Sequence, residues 1–416
     1  MKVFHTLSED QVCYILGVSD NGGSTSELLR VLGGPSVGDL RSRLLKLMEL
    51  FEKDSEMTAI QILLSHRLPL THARDDWSLI LEGRHKLWRS ISIEKKEAIR
   101  GFLTLFDVEI LKRAHKRFNF SNGSIGNFFL TGARLFTGSL EAAIFLFASI
   151  TAVPGLVTPV MNTNQTATIA ATLTNSTILR GQCEISHPPI HSPKKRHPMD
   201  MFNEEDDAQD GLNLFFSKQR IEKLDSPIER VYYINRYGQE IYPVPNPKVI
   251  TQLSTQHTLI YSIGSLYTSL IPCLVLRNIG NAIVQSQSLK HKILLLNGSQ
   301  DRETDGYNAL DFIHAITKAL NESQRVDARR SFYDTSHNIH TPPASYPPFP
   351  DHLFFPSPVS CFITHLIYLD NSNIEVDTRA IEALGVKCVS IKGSLSEQGE
   401  PIYLTCALTQ AIQNLV

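Results

Sequence analysis

Three short apolar runs each pass straight into a loop of glycine, hydroxyl, amide and acid, and then into a helical pattern. No other feature restricts the fold as strongly. "QVCYILG" leads into "SDNGGST", "HTLIY" into "SIGS", and "HKILLL" into "NGSQDRETDGY". A short apolar run bounded by turn residues reads as a buried strand, and strands alternating with helices form a parallel, doubly wound sheet. A fourth run, "CFITHLIYLD", precedes "DTRAIEALGVKCVSI", which reads as a helix, a glycine turn and a last strand. The chain is expected to be α/β.

Between these units the pattern is mostly helical. Ser24 and Glu27 have the S-x-x-E spacing of a capping box, and "SELLRVLGG" follows as a short helix closed by glycines. Positions 39–52 spell a second helix with Asp39 as its cap, and 60–117 read as helical scaffold. A further helix covers 124–150, interrupted near Gly138. Short runs carrying threonine and valine between 156 and 186 read as a meander or hairpin turning at Asn175. Two stretches change character. Positions 187–211 mix proline, serine, a basic cluster and an acidic cluster, as expected of a disordered loop; 321–360 are polar, then proline-rich, as expected of a surface insertion.

A chain of 416 residues can bury a large core, and a net charge of −2 gives neither a basic footprint for nucleic acid nor a field for anionic membranes. No apolar run approaches the ~20 residues that cross a bilayer. The start, "MKVFHTLSEDQV", has neither signal-peptide nor transit-peptide character. Cys13, Cys183, Cys273, Cys361, Cys388 and Cys406 stand far apart without a C-x-x-C pair, which argues against a disulfide framework and a structural zinc site. These features set the expectation of a cytoplasmic protein with neither nucleic-acid nor membrane partners.

Ligands of open α/β sheets bind beyond the carboxyl ends of the strands, so the three loops are expected on one edge. Gly22, Gly23 and Gly264 let backbone N–H groups approach an anion, hydroxyls can donate to it, and helix N-termini supply positive potential. Asp20 has the chemistry to hold Mg²⁺, which takes one or two carboxylates plus phosphate oxygens. Arg41 and Arg43 follow "GGPSVGD" and can reach an anion there. Each residue also has a plainer reading. The glycines serve tight turns, Asp20 is a turn residue, and Asn127 is a buried amide. The arginines are solvated, and Glu303 and Asp305 cap a helix starting near Asn308. Neither a G-x-x-x-x-G-K-[ST] loop, a G-x-G-x-x-G fingerprint nor a G-x-S-x-G elbow occurs.

Taken in order, "SDNGGSTSELLRVLGGPSVGDLRSRL", "FSNGSIGNFFLTGARL", "LRGQCEISHP", "GSLYTSLIPCLV" and "ETDGYNALDFIHAI" resemble the CofD-like family. That family holds 2-phospho-L-lactate transferases and YvcK-like gluconeogenesis factors, and the wording here is similar to its plant and fungal branch. The likeness treats 1–416 as a single domain, broken by the loops at 187–211 and 321–360. It implies a Rossmann-like doubly wound, mainly parallel sheet with helical insertions, a nucleotide or nucleotide-sugar ligand, and Mg²⁺ with its phosphates. Under it, Asp20 and Asn21 take the catalytic positions, with Asp20 on the metal. Gly22, Gly23, Ser24, Thr25, Arg41, Gly264 and Ser265 hold phosphate, while Asn127, Glu303 and Asp305 close around base, sugar or acceptor.

Three departures stand out. The family's first strand and Gly-rich loop belong ahead of "QVCYILG", where this sequence has only the residues before Cys13. Asn21 stands where many relatives carry a second acid, and "SIGS" replaces "GPGS", so Ile263 costs one close approach to phosphate. Two activities fit: transfer of a phospho-linked group from a nucleoside diphosphate carrier, or non-catalytic binding of a nucleotide-sugar by a regulator of carbon metabolism. A homodimer is compatible with either.

Overall fold

The computed structural model describes residues 12–49, 54–153, 156–187, 223–235, 237–337 and 350–416. A strand ahead of position 12, and nearly all of the loop expected at 187–211, lie outside the described residues. Cys13–Leu16 (β1) pairs in parallel with Leu156–Pro159 (β2), Cys13 facing Leu156. The chain between them is helical: α1 (Gly23–Leu32), α2 (Gly38–Met48), α3 (Ser55–Ser65), α4 (Ala73–Leu81), α5 (Ile93–Leu111), α6 (Ile125–Thr137) and α7 (Leu140–Thr151). The expected interruption at Gly138 is real. Gly138 takes a left-handed conformation at φ +68°, its N–H donates to the Arg134 carbonyl at 2.8 Å, and the Ser139 hydroxyl accepts from Ala142 N–H to start α7.

The helices pack around aromatic side chains. Trp77 meets Phe106, Phe120 and Phe128, and its indole N–H donates to Asp107 Oδ1 at 2.8 Å, which satisfies the polar end of a buried ring. α5 and α6 approach so closely at Gly132 that a Cβ there would stand 2.1 Å from the Phe102 carbonyl oxygen.

The runs after β2 form an antiparallel sheet, in the order β4 (Ile178–Arg180), β3 (Thr168–Leu173), β5 (Ile228–Ile234), β6 (Glu240–Ile241), with the short helix α8 (Gln182–Ser186) leaving β4. α9 (Pro247–Thr255) leads into a second parallel sheet. Its strands β7 (Thr258–Tyr261), β8 (His291–Leu295), β9 (His365–Leu369) and β10 (Lys387–Ile391) lie side by side in chain order. Ile293, Leu294, Leu295, Leu366 and Ile367 are buried, as strands covered on both faces require. The crossovers carry a π-helical turn (Leu266–Leu270) continuing as α10 (Ile271–Leu274), then α11 (Ile279–Gln285), α12 (Ala309–His337) and α13 (Thr378–Ala383). The hairpin β11 (Gly393–Leu395) and β12 (Pro401–Tyr403) and α14 (Thr405–Leu415) follow. The architecture is α/β with parallel sheets, as expected.

Local readings needed correction. α1 starts at Gly23 with Gly22 as its cap residue, so Ser24 and Glu27 make no capping box. Glu27 instead pairs with Arg30 at 2.8 Å and accepts from Asn119 N–H, a tertiary use that spacing does not reveal. Asp39 lies inside the first turn of α2, whose cap residue is Val37. α12 runs on to His337, so the insertion expected from 321 begins as helix. Residues 338–349 lie outside the described residues, while Ser357 returns onto α12 by donating its N–H to Asn321 Oδ1. Glu303 and Asp305 do not cap that helix; Asn308 does, its Oδ1 accepting from Leu310 N–H at 2.9 Å. Among the described residues no helix is long and apolar enough to cross a membrane.

Candidate functional site

The loop after β1 folds on its own acid. Asp20 Oδ1 accepts from Gly22 N–H at 2.9 Å, and the Thr25 hydroxyl also bonds the carboxylate. The turn reading of Asp20 is therefore realised, and the same turn brings its carboxylate against the start of α2, where Gly38 adjoins Oδ2. Gly23 has φ +50° and nothing within 4 Å of where its Cβ would be, so the backbone at the head of α1 is open to a ligand. Gly22 is closed off, with Cys183 Sγ 3.1 Å from its would-be Cβ.

Three helix N-termini meet here. Asn127, in the first turn of α6 and 1% exposed, donates from Nδ2 to Ser24 Oγ at 3.0 Å and accepts from Arg41 Nε at 3.2 Å. α1, α2 and α6 are thus tied together at their starts, and none of them carries a side-chain cap. Three helix dipoles of one sign converge, which is the arrangement an anion neutralises. The Ser24 and Thr25 side chains are buried and engaged by Asn127 and Asp20, so they build the loop as much as they face a ligand.

The charges agree with that reading. Burial pushes the Asp20 carboxyl up, against Gly22 N–H, Thr25, Arg41 and Arg67. Burial and the neighbouring Asp20 push Asp39 up to about 6. Burial and the Arg67 guanidinium lower Arg41 to about 10. Arg43 lies over the Tyr14 ring, 5.5 Å from its centre, with Asp39 nearby. Two carboxylates ringed by guanidiniums suit a hard cation carrying phosphate. Among the described residues no group of three His, Cys, Asp or Glu side chains could hold a metal alone, so part of the shell would have to come from ligand oxygens.

The other expected residues divide. Asn21 Oδ1 accepts from Cys183 N–H at 3.0 Å, and Gly181 leaves room for its amide, so Asn21 fastens α8 to the loop. Glu303, 3% exposed, accepts from Tyr267 N–H at 2.9 Å, Thr268 N–H at 3.1 Å, Thr268 Oγ1 at 2.5 Å and Ser186 Oγ at 2.6 Å. It closes the start of the π-helical turn and joins it to α8; burial and Asp301 push its carboxyl up to about 7. The Gly264 carbonyl is taken by Asn297 Nδ2 at 3.0 Å, and the Ser265 carbonyl accepts from Ser269 N–H. Asp305 stands apart, half-exposed and paired with Lys223 at 2.9 Å. The loops after β1, β7 and β8 are linked through α8, but Glu303 and Asp305 are not gathered around Asp20. Asp39, expected only as a helix cap, Arg67, and α8, which lies within "LRGQCEISHP", join the cluster without having been given a part in the site. The acid in the first turn of a helix behind "GGPSVG" was the available signal for Asp39.

A match of residues 1–351 to the family model for 2-phospho-L-lactate transferase CofD decides the kinship. The chain belongs to the CofD family. It is 37% identical to the Saccharomyces cerevisiae protein YNL011C over 95% of this chain and 92% of that protein, which agrees with a eukaryotic branch. It is 26% identical to a gluconeogenesis factor of Halalkalibacterium halodurans over 56% of this chain and 60% of the relative. A Clostridium acetobutylicum putative gluconeogenesis factor is 25% identical over 52% of this chain and 40% of its own length. Among solved structures, Bacillus halodurans BH3568 shares the fold with a TM-score of 0.59 at 18% identity, covering 97% of this chain and 91% of that one. β9, β10 and the closing hairpin of this CofD-family chain lie beyond position 351, yet β9 and β10 complete the second parallel sheet.

Proposed function

We propose that this CofD-family protein binds the diphosphate of a nucleotide or nucleotide-sugar at the joined starts of α1, α2 and α6. The observation that carries the reading is that convergence of uncapped helix N-termini around Asp20, Asp39 and Arg41. Asp20 and Asp39 would hold Mg²⁺, whose charge offsets that of the phosphates. The open backbone at Gly23 and the guanidiniums of Arg41 and Arg43 would take the phosphate oxygens. If the protein is an enzyme, it transfers a phospho-linked group from a nucleoside diphosphate carrier. The rate would come from holding donor and acceptor in line and from fixed dipoles aimed at developing charge.

A second reading, a non-catalytic nucleotide-sugar-binding regulator, is favoured by one observation. The Asn21 amide is spent on the backbone of α8, leaving Asp20 as the loop's one acid. Thermal stability against GDP, GTP, UDP-glucose and UDP-N-acetylglucosamine, each with and without Mg²⁺, tests the shared part. A specific ligand at 100 times its Kd adds about 2.7 kcal/mol. A Mg²⁺-dependent rise with one of them, lost in Asp20→Asn, supports binding; no rise with any of them rejects it. Recovery of the ligand chemically unchanged after incubation with acceptors would select the regulator.

A further inference from the structure

The two parallel sheets stop short of one another. Among the described residues β1 pairs only with β2 and β7 only with β8, so each strand ends its sheet on an open edge. The Leu16 carbonyl accepts from Val160 N–H at 2.8 Å. In a parallel ladder this turns the backbone groups of Tyr14 and Leu16 toward β2 and those of Cys13, Ile15 and Gly17 to the open edge. The His257 carbonyl accepts from His291 N–H at 3.2 Å, which by the same rule leaves Thr258 and Ile260 facing away from β8. The two edges are neighbours. Both strands lead at their carboxyl ends into loops linked through α8, and a Cβ on Gly17 would stand 4.0 Å from Cys273 Sγ in α10, which follows β7.

Burial marks what is missing between them. Strands inside a doubly wound sheet are covered on both faces. β8 and β9 are buried along most of their length, but all of β1 and the first three residues of β7 are only half-buried. The side chains there are apolar: Tyr14, Ile15, Leu16 and Leu259 lie against the main core, and Ile260 against the cluster under α14. The Thr258 hydroxyl is buried without a hydrogen-bond partner among the described residues. An open strand edge is a template for another strand, and two neighbouring edges can share one.

The chain that enters β1 is the nearest source. Residues 1–11 join the described part at the amino end of β1. They hold "KVFHTL", with valine, phenylalanine and threonine that favour strands, and then "SEDQ", with turn-forming serine and aspartate. A loop of that length is common in hairpins, whereas a parallel return needs a crossover of about a dozen residues or more. A segment tied to β1 by so short a loop is also held there at high effective concentration.

We propose that the edges of β1 and β7 form a strand-binding slot whose occupant is Lys2–Leu7, folded back on β1 as an antiparallel strand through the loop Ser8–Gln11. The register sets Phe4 opposite Ile15 and Lys2 opposite Gly17. Phe4 then exchanges backbone hydrogen bonds with Ile15, while Val3 and His5 turn theirs to β7. The two parallel sheets become one. The slot is independent of the nucleotide reading and is tested without nucleotide or Mg²⁺.

Hydrogen–deuterium exchange of the full chain, resolved to single amides, reads the slot directly. It is run at two protein concentrations and repeated on Phe4→Pro and Val3→Pro. The Ile15 and Ile260 amides are expected to exchange slowly at both concentrations. Phe4→Pro removes a donor to β1 and is expected to speed exchange at Ile15 about tenfold or more; Val3→Pro should do the same at Ile260. The amides of Ile293 and Ile367, inside β8 and β9, should stay protected and so report that the sheet is still folded. A synthetic peptide of residues 1–7, added to Phe4→Pro, should restore slow exchange at Ile15. Free exchange at Ile15 and Ile260 in the wild-type chain overturns the slot without any variant having to fold. Slow exchange that ignores both prolines overturns its occupant. Protection that fades on dilution puts the strand of a second copy in the slot and overturns the fold-back.

Discussion

Gly38 and Asp20 touch so closely that no side chain fits between them: a Cβ on Gly38 would stand 2.5 Å from Asp20 Oδ2. The start of α2 and the loop after β1 therefore hold one another in place, and a glycine at the head of a helix is a packing requirement.

Gly38→Ala turns that contact into a test. In an exposed helix the change stabilises by up to about 1 kcal/mol. Here it is expected to destabilise by about 1–3 kcal/mol, because the loop must shift to admit the methyl. Any Mg²⁺-dependent nucleotide shift should be lost with it. Urea unfolding alongside ligand-dependent melting checks both; a more stable variant would show that the loop yields freely.

The second expectation concerns pH and Asp39. Its carboxyl is raised to about 6 by burial and by Asp20, so it is protonated, and unable to hold a cation, as pH falls below that value. Mg²⁺ affinity should drop as pH is lowered through 6. Asp39→Asn should abolish both the affinity and its pH dependence in isothermal titrations between pH 5 and 8.

Glu303 carries the third. Its folded carboxyl lies at about 7, above the ordinary 4.5, so the folded state binds the proton more tightly than the unfolded state does. Its contribution to stability is full below about 4.5 and is lost as pH rises through 7. The raised value corresponds to at most about 3 kcal/mol. Glu303→Gln keeps an oxygen for the Tyr267 and Thr268 N–H groups, and the difference between wild-type and variant unfolding free energies should slope between pH 5 and 8 and level off outside that range. A flat difference would mean that the carboxylate stays ionised throughout.

The scaffold has its own test. Gly132→Ala would place a methyl 2.1 Å from the Phe102 carbonyl oxygen, which only separation of α5 and α6 can relieve. A loss of about 3 kcal/mol or more is expected from this overpacking, read as a fall in the urea midpoint. A loss under about 1 kcal/mol would show that the helix pair is loosely held.

The sequence by itself determined the strand–loop–helix order, the break at Gly138, the helical stretch between β1 and β2, and the loop that carries Asp20. Each rests on local rules: apolar runs, glycine conformations and hydroxyl caps act between residues a few positions apart. It did not determine the partners. Glu27 and Ser24 have the spacing of a reciprocal cap, yet one is engaged by Arg30 and Asn119 and the other by Asn127, more than ninety positions away. Glu303 and Asp305 stand two apart in the chain; one is buried beneath the π-helical turn and the other is paired at the surface with Lys223. Only the tertiary structure decided that α1, α2 and α6 begin at one point. Charge and hydrogen bonding depend on distance in space, and chain spacing is silent about contacts that folding alone creates.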